Sequence, residues 1–250
     1  MNTRTHFSSM KHNRLLLLYT FLFFCSCTHQ QVTQVLNTLG ESSTDELTST
    51  DVTGGLKDAL VKGITVGAQK ASATDGYYKN SLIKIPFPEN IVKIKNTLND
   101  IGMSKLVDDF ELSLNRAAEK GAKKAAPIFV NAITSMSISD AWSILKGEEH
   151  AATDYLKKTT TNDLTQAFNP IIKKSLDESN ATKYFNQMVT QYNKIPFIEK
   201  MNPNLDEYAT TKAIDGLFTL VGKEEEKIRL DPVARTTDLM QKVFNKDNWK

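Results

Sequence analysis

Both cysteines of this chain, Cys25 and Cys27, stand at the end of one apolar run, and no thiol follows them. The run is Leu15-Leu-Leu-Leu-Tyr-Thr-Phe-Leu-Phe-Phe24. A domain built from the residues after it has no disulfide, no cysteine nucleophile and no thiolate metal site. Its stability has to come from a hydrophobic core. Roughly 200 residues remain for that core, which is ample for a single domain.

The run is about half the ~20 apolar residues needed to cross a bilayer. Arg4, Lys11 and Arg14 precede it and no acid does. A basic start, a short apolar stretch and a small residue before the cut make a secretory signal. Phe24-Cys25-Ser26-Cys27 resembles the bacterial lipobox, with Cys25 and Ser26 in the small positions and Phe24 bulkier than the usual Leu. We therefore read residues 1–26 as a lipoprotein signal peptide, Cys27 as the lipidated residue, 27–50 as a flexible tether and 51–250 as the domain. An ordinary secretory signal or a retained N-terminal helix are the alternatives. One acyl chain holds weakly at about 0.8 kcal/mol per buried CH₂, and bacterial lipoproteins resemble the firmly held multi-chain case. Thr28 is not acidic, so by similarity to the proteobacterial sorting pattern the expected destination is the outer membrane, facing the periplasm. Loss of the signal takes three of 31 basic residues and none of 29 acidic ones, leaving 28 against 29. That balance lacks the basic footprint of a nucleic-acid binder.

Apolar spacing after residue 50 is helical throughout. Leu56, Leu60, Ile64, Gly67 and Ala71 share a face behind a capping candidate at Thr53. Pro86 and Pro88 keep 74–88 extended. Ile91, Ile94, Leu98 and Ile101 form the next stripe, closed by Gly102. Ser104 can cap a long helix, which Pro127 should break or kink. Ser139 precedes a short helix ending at Gly147. The remaining spacing predicts helices over about 150–159, 162–178, Ala181–Lys194, Leu205–Arg229 and Pro232–Phe244. Sustained period-2 alternation is absent. The expected fold is all-α, one multi-helix, bundle-like domain. Lys84-Ile-Pro-Phe87 recurs as Lys194-Ile-Pro-Phe197. We read this as a rigid proline turn between core-anchoring side chains rather than a tandem repeat.

Gly55-Leu-Lys-Asp-Ala-Leu60, Gly76-Tyr-Tyr78 and Ile83-Lys-Ile-Pro-Phe-Pro-Glu-Asn90 resemble a bacterial family, the domain of unknown function 4197. So do Leu106-Val-Asp-Asp-Phe-Glu-Leu-Ser-Leu-Asn-Arg-Ala-Ala-Glu119, Ala152-Thr-Asp-Tyr-Leu156 and Ala234-Arg-Thr-Thr-Asp-Leu239. The similarity is collinear over residues ~52–245. It implies a helical exported protein and carries over no catalytic residue.

Candidate chemistry is sparse. His150 is the only histidine in the domain, since His6 and His12 belong to the signal and His29 to the tether. Zinc needs about three or four ligands, and a Ser-His-Asp triad would have to use His150, which we expect to be exposed. No phosphate-cradling glycine loop is present, and neither cofactor nor metal is expected. The best polar constellation follows Ser104. Asp108, Asn115 and Glu119 line a stripe beside the apolar face, and Glu111 sits at its edge. There it could be a raised-pKa acid or base, or a structural ion-pair partner. Glu224 falls within the stripe of Ala213, Leu217, Leu220 and Ile228. If buried it needs a partner, with Arg229 or Arg235 available; otherwise Glu224-Glu-Glu-Lys227 is a solvated face beyond the core. Trp142, Phe168, Tyr184, Phe185 and Phe218 fit core packing better than a ligand box.

Two functions compete. The first is a lipid-anchored envelope domain without enzymatic activity. Its partners would be the membrane through the anchor, and an envelope protein or an apolar ligand. The second is a carboxylate enzyme, for example a glycan hydrolase, using Glu111 with Asp108 or Glu224. An enzyme should bring such carboxylates together in an open pocket.

Overall fold

Thr48 starts the first helix with a capping box. Its hydroxyl accepts from the Asp51 N–H at 3.0 Å, and the Asp51 carboxylate accepts from the Thr48 N–H at 3.2 Å. The computed structural model describes residues 47–249 except 90, 91, 101, 194, 195, 198, 199 and 201–203. The signal peptide, Cys27 and the tether through residue 46 lie outside the described residues. Leu47 and Thr48, at the end of the expected tether, already belong to the domain: Leu47 is buried and Thr48 is the cap. Thr53 does not cap; its hydroxyl bonds back to the Ser49 carbonyl inside the helix.

Helix α1 (Ser49–Ser72) carries two rows. Val52, Leu56, Leu60 and Ile64 fill the core, and Gly55, Ala59, Gly63, Gly67 and Ala71 recur at every fourth position. The small row admits close neighbours. A Cβ on Gly55 would come within 2.7 Å of Val243, and one on Gly63 within 3.3 Å of the Glu224 Cβ. At Gly76 a Cβ would collide with the Lys70 carbonyl, so the chain can turn back tightly only there with glycine. An extended strap then leads to α2 (Val92–Asp100), and Gly102, at φ +80°, turns the chain away from it. Next come α3 (Ser104–Ala122) and α4 (Ala125–Thr134). Pro127 sits in the first turn of α4, where its missing N–H is harmless, and the break falls just before it, at Lys123–Lys124. Helix α5 (Ile138–Lys146) is capped by Ser137 and Asp140, not Ser139, and ends at Gly147.

The two helices expected between residues 150 and 178 are one. Helix α6 (Ala151–Glu178) runs without interruption through Pro170. Its buried face is Leu156, Thr160, Leu164, Phe168, Ile172 and Leu176, an unbroken four-residue ladder. The threonines at the expected break return their hydroxyls to carbonyls one turn back: Thr159 to Tyr155, Thr160 to Leu156, Thr161 to Lys157. Helix α7 (Ala181–Tyr192) and α8 (Leu205–Leu230) follow. The helix expected over 232–244 is divided. Asp231 caps a 3-10 turn, Pro232–Ala234, and Thr237 caps α9 (Asp238–Phe244). Between them Arg235 folds back to donate to the Ile228 and Arg229 carbonyls at the end of α8.

Nine α-helices and no strand occur among the described residues, and the domain is all-α. Helices α6 and α8 lie along each other, with α3 against both. Helix α1 packs on α8 from another side, with α4, α5 and α9 closing around it. One continuous apolar cluster joins them. No single described helix is long and apolar enough to cross a membrane.

Candidate functional site

The polar row of α3 faces the strap. Glu111, Asn115 and Glu119 stand one turn apart, and each holds a different part of the segment between α1 and α2. The Glu119 carboxylate accepts from the Tyr77 and Tyr78 N–H groups at 3.2 and 3.3 Å. Its other oxygen takes Arg116 at 2.7 Å, and Arg116 also reaches Asp75 at 2.6 Å. The fully buried Asn115 amide accepts from the Ile85 N–H at 2.8 Å and donates to the Ile85 carbonyl at 3.0 Å. It stands in for a neighbouring strand. The strap presents alternate residues inward, with Ile83, Ile85 and Phe87 buried and Lys84 and Pro86 exposed. Glu111 pairs with Lys84 at 3.0 Å and Lys95 at 3.4 Å. Burial alone would raise the Glu111 carboxyl, but the two lysines outweigh it and hold it below its ordinary value. From the far side α8 completes the grip: Tyr77, wholly buried, donates to the Ala213 carbonyl at 2.6 Å, and Tyr208 donates to the Pro86 carbonyl at 3.1 Å. Burial, reinforced by Glu119, pushes the Tyr77 phenol well above its usual range. Asp108 points to solvent.

The acidic triplet of α8 divides its labour. Glu224 is buried, and its partner is neither Arg229 nor Arg235 but Lys70 of α1, at 2.5 Å. The stripe has therefore not left the core at that turn. Glu226 is surface-facing and pairs with Lys223 at 2.7 Å. Glu225, which the sequence did not single out, is the most connected of the three. It accepts from the Ala152 and Thr153 N–H groups at 3.0 and 2.8 Å and from the Thr153 hydroxyl at 2.7 Å. Those N–H groups are orphans of the first turn of α6, whose N-cap residue, His150, supplies no side-chain cap. Glu225 also takes Arg229 at 2.9 Å, and Arg229 donates to the Ile144 and Leu145 carbonyls at the end of α5. One ion pair thus caps two helix ends of opposite polarity. The legible signal was a helix opening on His150-Ala-Ala152 with no capping residue of its own.

Glu111, Asp108 and Glu224 line neither of two cavities among the described residues. The open cleft lies elsewhere, between the first turns of α6 and the middle of α8, with a volume of ≈ 520 Å³. Asp154, Lys157, Asp215, Thr219 and Lys223 line it with the exposed His150. Phe218 and Gly222 also belong to its wall. A second, far smaller void of ≈ 20 Å³ lies between α1, α6, α8 and α9, with a mostly apolar wall that Glu225 and Arg229 also reach. Of the aromatic candidates, Phe168, Phe185 and Phe218 are core residues, Trp142 is half-buried, and Tyr184 is exposed at 42%. The phenylalanines of the two Ile-Pro-Phe segments differ. Phe87 is buried and packs on Phe110 with ring centroids 5.0 Å apart, whereas Phe197 is fully exposed at φ +66°.

A family model described as a protein of unknown function, DUF4197, matches residues 46–245. No curated protein and no solved structure matches the chain.

Proposed function

Since the chain belongs to the DUF4197 family, proteins of unknown function, we propose from its own residues that it is a lipid-anchored, non-enzymatic binding domain of the bacterial cell envelope. In this reading Cys27 carries the lipid, the segment after it tethers the domain, and the domain faces the periplasm from the outer membrane. One observation carries the binding role. The buried carboxylates serve as scaffold, on backbone N–H groups or basic side chains, while Asp154, Lys157 and Asp215 in the open cleft form no ion pair with the scaffold among the described residues. Acid–base chemistry needs a carboxylate free to gain and lose a proton at a substrate. Glu111 instead stands between two lysines that hold it ionised.

Two measurements test this. In cells fed an alkyne fatty acid, wild type should be labelled and Cys27→Ala should not; equal labelling of both would remove the anchor from the proposal. Purified full-length protein mixed with isolated cell-wall glycan should release no new reducing ends. Release that Glu111→Gln abolishes would replace the binding role with hydrolysis.

A further inference from the structure

We propose that the cleft between α6 and α8 is a binding site for a small dipolar ligand, a short peptide with a free amino and a free carboxyl end. The inference rests on the domain being a binder, and it names where and what it binds. A cleft of ≈ 520 Å³ falls in the size range of small-molecule sites. Two helices supply it: Asp154 and Lys157 from α6, and Asp215, Thr219 and Lys223 from α8. Both signs of charge therefore face one space.

The pairing pattern is the second observation. Glu111, Glu119, Glu224 and Glu225 all have basic partners. Asp154, Lys157 and Asp215 form no ion pair among the described residues, although they line the same cleft. A ligand with a single charge would meet groups of both signs. A dipolar ligand satisfies both, its ammonium on the aspartates and its carboxylate on Lys157, since Lys223 is already held by Glu226, through charge-assisted hydrogen bonds. Phe218 gives the wall an apolar patch for the part between the two ends.

Gly222 is the third. Glycine inside a helix is destabilising relative to alanine, and at Gly216 in the same helix packing explains it, since a Cβ there would lie 2.9 Å from Tyr77. At Gly222 the nearest atoms to an added Cβ are those of His150 and Thr153, at an ordinary 3.6 Å. Packing does not require this glycine, and its effect is to leave the cleft wall open.

The test titrates detergent-solubilised full-length protein with trialanine by calorimetry, beside its N-acetylated and C-amidated forms. Trialanine should bind saturably, and blocking either end should weaken it by about tenfold or more. Asp215→Asn and Lys157→Gln change exposed side chains and should each weaken trialanine about tenfold; Gly222→Leu should abolish binding. Absence of saturable binding at millimolar peptide, equal binding of the blocked forms, or unchanged binding by both charge variants would overturn the site, leaving the anchored binding role to its own tests. Mass spectra of the recovered peptide separate the two proposals. Intact peptide supports both, whereas cleaved peptide supports the cleft and overturns the non-enzymatic role.

Discussion

Glu224 and Glu225 are neighbours in sequence, equally buried, and answer to different physics. Glu224 meets one lysine whose side chain is 57% exposed, so water screens the pair and can replace it. Glu224→Ala retains the Cβ that packs near Gly63 and should cost about 1 kcal/mol or less. Glu225 meets two helix N–H groups and an arginine itself bound to two carbonyls, with little access for water. Glu225→Ala leaves that arginine and the first turn of α6 without their acceptor, and should cost about 3–5 kcal/mol. Urea unfolding midpoints of the two variants check this; similar losses would contradict it. Asn115→Leu is a second case. It keeps the branched outline and the number of heavy atoms but strips the buried Ile85 N–H and carbonyl of their partner, at about 1–3 kcal/mol for each group. The same measurement applies, and the strap at 79–89 should become the first site of proteolytic nicking. A variant as stable and resistant as wild type would show that the strap holds by its apolar residues alone.

Among the elements, helix α6 best shows what sequence could convey. Its residues predict two helices, over about 150–159 and 162–178, although Leu156, Thr160, Leu164, Phe168, Ile172 and Leu176 form one four-residue ladder. Local propensity was overridden because the threonine hydroxyls bond within the helix and the buried face never lapses. Helix positions and stops such as Gly102 and Gly147 were largely readable because they act locally. Caps were misplaced: Thr48 rather than Thr53 starts α1, Met103 without a side-chain cap precedes α3 where Ser104 was expected, and Ser137 rather than Ser139 starts α5. The rest of what was not readable is long-range. Nothing near Asn115 announces that it will pair with Ile85, thirty residues earlier. Glu224 was visible as an oddity, but its lysine lies on α1, and a choice among cations by sequence proximity favoured the wrong ones. The cleft was missed for the same reason, since its two rows are each unremarkable on a single helix. Pro170 yields a prediction. It is exposed, makes no packing demand, and removes an N–H from the middle of the longest helix. Pro170→Ala should stabilise the domain by up to about 3 kcal/mol, seen as a higher urea midpoint at unchanged helical circular dichroism; a lower midpoint would mean that the proline sets a bend the packing needs.

For the whole molecule, carboxylates organise an assembly that apolar burial fills. Asp51 caps α1 and reaches Lys242 of α9; Asp140 caps α5; Asp75 joins Arg116 and Lys79; Glu111 ties the strap to α2 and α3. In each the folded pKa lies below its ordinary value. For Asp51 the Thr48 N–H and hydroxyl are the chief cause, with Lys242 behind them. For Asp140 it is Ser137, for Asp75 it is Lys79 and then Arg116, and for Glu111 the lysines prevail over burial. A lowered carboxyl contributes stability that is present above its unfolded pKa, about 3.9 for Asp and 4.3 for Glu, and is lost as pH falls through the folded value. Stability should therefore be nearly level from pH 7 to about 5 and fall steeply below about 4. Because the contacts join α1 to α9, the strap to α3, and the start of α5 to its own first turn, protonation loosens several junctions together rather than one edge. Urea midpoints measured across that range check the shape, and Glu111→Gln should flatten part of the acid limb because its amide does not titrate. An acid limb unchanged in Glu111→Gln would mean that the Lys84 and Lys95 contacts hold equally in the unfolded chain and add nothing to the fold.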